Sequence, residues 1–257
     1  MFIAELGKRT ISLCDKIGDF GVFCIQVFRT FFRKGCNPLA LLTQMSLIGV
    51  GSLSVVILTG SAIGAILALH GYSALHQYGA DRFLGSLEYL SMTREFGSVI
   101  TALMVIARSG SSMTAEIGSM SISEQIYALI TLSIDPMRYV VVPRVIGAAI
   151  VLPLLSLFCI FFGVSAGYII SIYLFHVNAE LYVESIRVIL VAADIYKGMI
   201  KAFIFGLLLS LICTYKGMRT RGGAKDIGIS TTESVVYSSV TVFLSDYVLS
   251  SLLFDYS

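Results

Sequence analysis

Tryptophan is absent from the sequence, and charge is scarce. Charged residues make up only 13% and hydrophobic residues 56%, against about 25% charged in a soluble domain. With a mean hydropathy of +0.88, this shortage excludes an ordinary soluble fold and identifies an integral membrane protein. Strand-like alternation is lacking while apolar runs are long, so helices are expected rather than a barrel. Without tryptophan, any aromatic belt falls to tyrosine and phenylalanine. The five cysteines, Cys14, Cys24, Cys36, Cys159 and Cys213, form no CxxC, which argues against a disulfide framework or a zinc site. A formal net charge of +2 is too small to suggest a nucleic-acid partner.

Catalytic motifs are missing as well. Arg221-Gly222-Gly223-Ala224-Lys225 has glycines and a lysine, but not at the spacing of a phosphate cradle. There is no HExxH and no GxSxG, and the serines from Ser109 to Ser112 have no nearby histidine to act as base. His70 and His76 lack a carboxylate or cysteine at ligand spacing. No catalytic residue, cofactor or metal is expected. If the chain moves something uphill, the energy comes from an ion gradient or from another subunit.

What is present is a series of apolar runs around one polar centre. Residues 1–37 carry Lys8, Arg9, Lys16, Arg29, Arg33 and Lys34. Within them Ile17, Phe20, Cys24, Val27 and Phe31 recur at helical spacing. That stripe predicts an amphipathic helix lying in the membrane interface, with a soluble amphipathic helix packed on the protein as the alternative. Asn37-Pro38 ends it. Leu39–Leu69 then suffices to span a bilayer and holds Gly60-Ser61-Ala62-Ile63-Gly64, a GxxxG that favours close approach to another helix or subunit. Phe96–Ala107 is too short to cross alone. The helix must begin earlier, taking Arg94, Glu95 and even Glu88 into or near the membrane. Ionisable groups there should face a protein interior or a water-filled cavity; the alternative is that Arg94 and Glu95 are anchors in the headgroup layer.

The central stretch Ile106–Asp135 is the one long polar interruption. It is expected to form a short helix with Ile117, Met120, Ile126 and Leu129 apolar and Glu116, Ser123, Glu124 and Gln125 polar, closed by Asp135-Pro136. It is either a solvated loop or a docking element for a cytoplasmic partner. Further spans are predicted at Val145–Phe175, with a second GxxxG from Gly163 to Gly167, at Met199–Tyr215, with Lys201 snorkelling near its start, and at Ser234–Phe254. A polar loop is expected over 216–233. Asp246, inside the last span, calls for a partner that the sequence does not name. Thirteen basic residues fall on one side, six in the N-terminal segment, Arg108, Arg138 and Arg144 in and just after the central stretch, and four in the 216–225 loop, and five on the other. The positive-inside rule makes the first side cytoplasmic, with the C-terminus outside.

One long motif goes further. Arg94-Glu95-Phe96-Gly97, then Ala107-Arg108-Ser109-Gly110-Ser111-Ser112-Met113-Thr114-Ala115-Glu116-Ile117-Gly118-Ser119-Met120, Glu124-Gln125 and Asp135-Pro136 resemble the MlaE/YrbE family. So does a second block: Tyr215-Lys216-Gly217, Arg221-Gly222-Gly223-Ala224, Gly228, Thr231-Thr232, Val235-Val236, Ser238-Ser239 and Asp246-Tyr247. Phe96, and Ser98 where relatives often have proline, depart mildly from the pattern. These are permease subunits of ABC transporters that act on lipids with MCE-domain proteins.

The resemblance implies an all-α membrane protein, with an interfacial helix at 1–37, a five-span permease domain at 38–257 and a cytoplasmic coupling helix at about 115–130. Hydrolysis of ATP would belong to a separate cytoplasmic ATPase, contacted through Glu116, Met120, Glu124, Gln125 and Leu129. Phospholipid would be bound by Leu67, Leu75, Tyr78, Arg94 and Glu95, in a cavity between two copies of the chain in an inner membrane. An MCE-domain protein would be a further partner, with room for a small cytoplasmic regulatory subunit. An ion-gradient-driven transporter using Asp246 and Glu95, and a membrane scaffold without transport, are the competing readings.

Overall fold

The structure, a computed structural model, describes residues 2–254, apart from the side chains of residues 2–13, 16 and 34. The basic positions Lys8, Arg9, Lys16 and Lys34 therefore lie outside the described side chains. The described residues form eight helices and no strand. They are α1 (Phe2–Lys34), α2 (Pro38–His76), α3 (Asp81–Ile122), α4 (Gln125–Thr131), α5 (Met137–Tyr173), α6 (Ala179–Ile189), α7 (Ala192–Arg219) and α8 (Ala224–Leu253). Five of them, α2, α3, α5, α7 and α8, are long and apolar enough to cross a membrane, which matches the expected count.

Several boundaries move. The second span is one run of 42 residues, so the short apolar stretch Phe96–Ala107 is only its middle. Helix α3 contains two widened π-type turns, at Met92–Phe96 and Ile106–Gly110, and α5 opens with a third at Met137–Val141. The polar loop expected over 216–233 shrinks to a turn at 220–223, because α8 already begins at Ala224. There the Asp226 carboxylate accepts from the Gly223 amide at 2.9 Å, which caps the new helix.

The two GxxxG motifs pack against each other inside one chain. A Cβ on Gly60 would sit 2.9 Å from the Cys159 carbonyl, and one on Gly64 would run into the backbone of Gly163. Spans α2 and α5 thus cross with backbones in contact, an approach only glycine permits. Pro153 lies inside α5, where Ser156 Oγ donates to its carbonyl at 2.8 Å. The main core runs between these two spans, α3 and α7, through Ile48, Val56, Met92, Val99, Leu152, Phe205 and Leu209.

Helix α1 packs along the end of the bundle that gathers the basic segments, called here the basic end. Its inward face is Phe23 and Val27, flanked by Phe20, Cys24 and Phe31, on Val141, Val142, Val145 and Leu211. The expected stripe shifts slightly: Phe23 joins it, and Ile17 is 70% exposed. Asp19 ties α1 to α7 by accepting from Tyr215 Oη at 2.9 Å and by pairing with Arg219. Burial makes the Cys24 thiol harder to ionise.

Candidate functional site

At the far end of the bundle, three spans meet through charge. Lys201 on α7 is fully buried. Its ammonium pairs with Glu95 at 2.8 Å and with Asp246 at 2.6 Å, and it donates to Ser250 Oγ at 2.8 Å and the Arg94 carbonyl at 2.9 Å. This corrects the expectation that Lys201 snorkels: a charge near the start of an apolar run is drawn inward when carboxylates wait there. It also supplies the partner for Asp246. An isolated charge is costly in a low-dielectric interior, and pairing with added hydrogen bonds offsets that cost.

Arg94 and Glu95 do not pair with each other. Arg94 donates through Nη2 and Nε to Asp194 at 2.9 and 3.2 Å, while Glu95 binds Lys201 and accepts from Ser250 at 2.9 Å. Both sit on the widened turn Met92–Phe96, whose Gly97 amide bonds five residues back to Met92. Such turns recur at functional sites. Gly198 lets α7 approach this turn, since a Cβ there would lie 2.7 Å from the Thr93 carbonyl. The Phe254 ring caps the cluster, with Arg94, Lys197 and Lys201 at 5.2, 5.3 and 5.7 Å from its centroid.

Of the five residues expected to bind lipid, this cluster unites two. Leu67 packs on the main core from α2, and Leu75 lies half-buried in the last turn of the same helix. Tyr78 is 84% exposed in the α2–α3 connection. These three lie at the far end without a hydrogen bond to the charged cluster. Pattern reading missed Lys201, Asp194, Ser250 and Phe254 as members. The only available signal was that Asp194, Lys201 and Asp246 flank or interrupt apolar runs.

Nearby, Glu88 on α3 is buried and accepts from Tyr182 Oη of α6 at 2.8 Å. Gly167 leaves room for it, because a Cβ there would meet the carboxylate. Burial and the adjacent carboxylate push the Tyr182 hydroxyl well above the usual phenol range, so it remains a donor.

At the basic end, the expected coupling segment 115–130 is two helices. The lower part of α3 is held by small-residue contacts. Thr114 bonds to Ser234 Oγ at 2.8 Å and the Cys213 carbonyl at 3.1 Å, and Ser121 to the Thr220 carbonyl at 3.1 Å. Gly110, Gly118 and Gly217 allow that approach. The chain then breaks at Glu124, whose φ of 59° is left-handed, and α4 follows. Ile126, with Met120 and Leu129 beside it, packs inward on Ile117 and Val140. Glu116 turns sideways to Arg144 at 3.1 Å and accepts from Ser112 at 2.9 Å. Among the five coupling candidates Glu116, Glu124 and Gln125 are exposed, Glu116 while paired to Arg144, and Met120 and Leu129 are half-buried. The outward apolar groups are Tyr127, Ile130 and Leu132, at 62%, 53% and 70% exposure, which the sequence reading did not single out.

Comparison with known proteins agrees with this architecture. The family model described as "Permease MlaE" matches residues 41–252. A probable ABC transporter permease protein of Rickettsia bellii is 38% identical over 250 residues, covering 97% of this chain and 96% of that protein. The intermembrane phospholipid transport system permease protein MlaE of Haemophilus influenzae is 34% identical over 256 residues, covering 98% and 97%. The chloroplastic protein TRIGALACTOSYLDIACYLGLYCEROL 1 of Arabidopsis thaliana is 36% identical over 214 residues, covering 83% and 61%. With five membrane spans, a buried charged cluster at one end and these relatives along nearly its whole length, the chain belongs to the MlaE permease family.

Proposed function

We propose that this chain is the permease subunit of an ATP-driven transporter that moves phospholipid between the inner membrane and an MCE-domain partner. A separate cytoplasmic ABC ATPase would supply the energy. The observation that carries this reading is the outward apolar surface of Tyr127, Ile130 and Leu132 at the basic end. A polar connection between spans has no lipid to cover such groups, so a protein partner is the natural cover. The thirteen basic residues on that side favour a cytoplasmic position for it, where an ATPase has its nucleotide. The segment's contact with that subunit is then made chiefly by Tyr127, Ile130 and Leu132, with Glu124 and Gln125 at the rim.

Helix α3 serves as the lever. One end leads into α4, and the other carries Arg94 and Glu95, locked through Lys201 to α7 and α8. Movement imposed on α4 reaches the charged cluster through this single rod. Two copies of the chain would enclose the lipid, their outward α2 and α8 faces supplying apolar walls. Leu67 and Leu75 would meet acyl chains, and Tyr78, Arg94 and Glu95 would lie near the head group. A proton relay through Glu95 and Asp246 has less support, because Lys201 holds both carboxylates.

The test is reconstitution of the chain, with its co-purifying subunits, in phospholipid vesicles. Movement of a fluorescent phospholipid should require ATP and survive a protonophore, and the chain alone should hydrolyse no ATP. Movement without ATP that the protonophore abolishes would sink the proposal.

A further inference from the structure

The Ala107–Ser112 motif is only partly explained by helix packing, and Arg108 in particular has no role so far. Its side chain enters a cleft of about 220 Å3 between α2 and α3 at the basic end, lined by Gln44, Leu47, Ile48, Ser112 and Met113. The guanidinium lies over Gly51, where a Cβ would sit 2.9 Å from Arg108 Cζ. A glycine on α2 therefore keeps this space open. Among the described residues, neither the Arg108 guanidinium nor the Gln44 amide side chain has a hydrogen-bond or ion-pair partner. Other polar groups on the wall are occupied: Ser109 bonds to Ser52 at 2.9 Å, and Glu116 is held by Arg144 and Ser112. The charge offered to a ligand is thus that of Arg108.

Depth and surroundings define the ligand. On α2, Gln44 is the last amide or charged side chain before His70, and the stretch from Leu47 to Leu69 holds only serine and threonine as polar residues; it is about 34 Å long at helical rise, close to the hydrocarbon thickness. The cleft straddles the start of that run, where head groups give way to acyl chains. Leu47 on its wall is 57% exposed. A guanidinium matches phosphate oxygens with paired donors, and basic pockets between membrane helices hold lipid head groups.

We infer that this cleft binds the phosphate of a phospholipid in the leaflet at the basic end. Arg108 and the Gln44 amide hold the phosphate, and Leu47, Ile48 and Met113 hold the first acyl carbons. The site lies at the opposite end from Arg94 and Glu95. It requires that α2 and α3 cross the membrane, not that the transport reading holds.

The test uses the full chain with its co-purifying subunits, in nanodiscs of phosphatidylethanolamine. A minority of phosphatidylglycerol carries a photoactivatable group near the glycerol end of its acyl chains. Irradiation should label the peptides holding Leu47 or Met113. Arg108→Gln should cut that labelling about tenfold, as expected for loss of a charged hydrogen bond, while label at the exposed Leu58 on the same helix stays constant. Gly51→Leu, which fills the space beneath the guanidinium, should act likewise. If either variant fails to fold, Gln44→Leu gives the same readout. Unchanged labelling in folded variants overturns the inference. Displacement of the label by inorganic phosphate also overturns it, because the occupant would then be the free ion.

Discussion

The two ends of the bundle solve opposite problems. At the far end, Arg94, Glu95, Asp194, Lys201 and Asp246 are drawn together until nearly every charge has a partner, and Lys201 is sealed from solvent. At the basic end, the chain breaks at Glu124 and presents Tyr127, Ile130 and Leu132 outward. One end spends its polar groups on itself, whereas the other leaves apolar groups for something else. Surface that a chain does not satisfy internally marks where a partner belongs.

This contrast can be broken most forcefully at Lys201. Lys201→Met strands Glu95 and Asp246 and should lower stability by about 3–5 kcal/mol, the usual cost of removing one partner of a buried pair. Thermal unfolding in detergent would measure it. Combining it with Glu95→Gln and Asp246→Leu should recover much of the loss. A single variant as stable as the parent would mean that the cluster is not a lock. A somewhat smaller effect is expected at the α2–α5 crossing, where Gly64→Ala should cost about 1–3 kcal/mol through forced separation of backbones, read by the same melt.

Tyr182→Phe removes the only hydroxyl bonded, among the described residues, to the buried Glu88 carboxylate and should cost about 1–3 kcal/mol. The loss should be accompanied by faster hydrogen exchange in α6. At the basic end, Tyr127→Ala and Ile130→Ser should leave unfolding within about 0.5 kcal/mol of the parent, as for exposed positions. A large destabilisation there would erase the distinction between the two ends.

Much of this was legible beforehand, and the parts that were not share a cause. Long apolar runs fix five spans because a bilayer demands about 20 apolar residues for each. The short run Phe96–Ala107 correctly demands an earlier start that carries Arg94 and Glu95 inward. Two GxxxG motifs announce close packing, but not that they pack on one another. Lys201 reads as a snorkelling residue because periodicity contains nothing about a carboxylate 45 positions later. The break at Glu124 is invisible because glutamate rarely adopts a left-handed backbone, so the stretch reads as one helix. Outward Tyr127 and Ile130 were hidden for the same reason, since a helix continued through Glu124 points its side chains elsewhere. Tertiary pairing and backbone exceptions are what local pattern does not carry.

The central claim is that α4 joins this permease to a separate motor. It is tested most directly by purifying the parent chain and Ile130→Glu in parallel from native membranes and identifying bound subunits by mass spectrometry. An ABC ATPase bound to the parent and lost from a variant with the parent's melting profile is the predicted result. An ATPase retained equally by both, or absent from both, would contradict it.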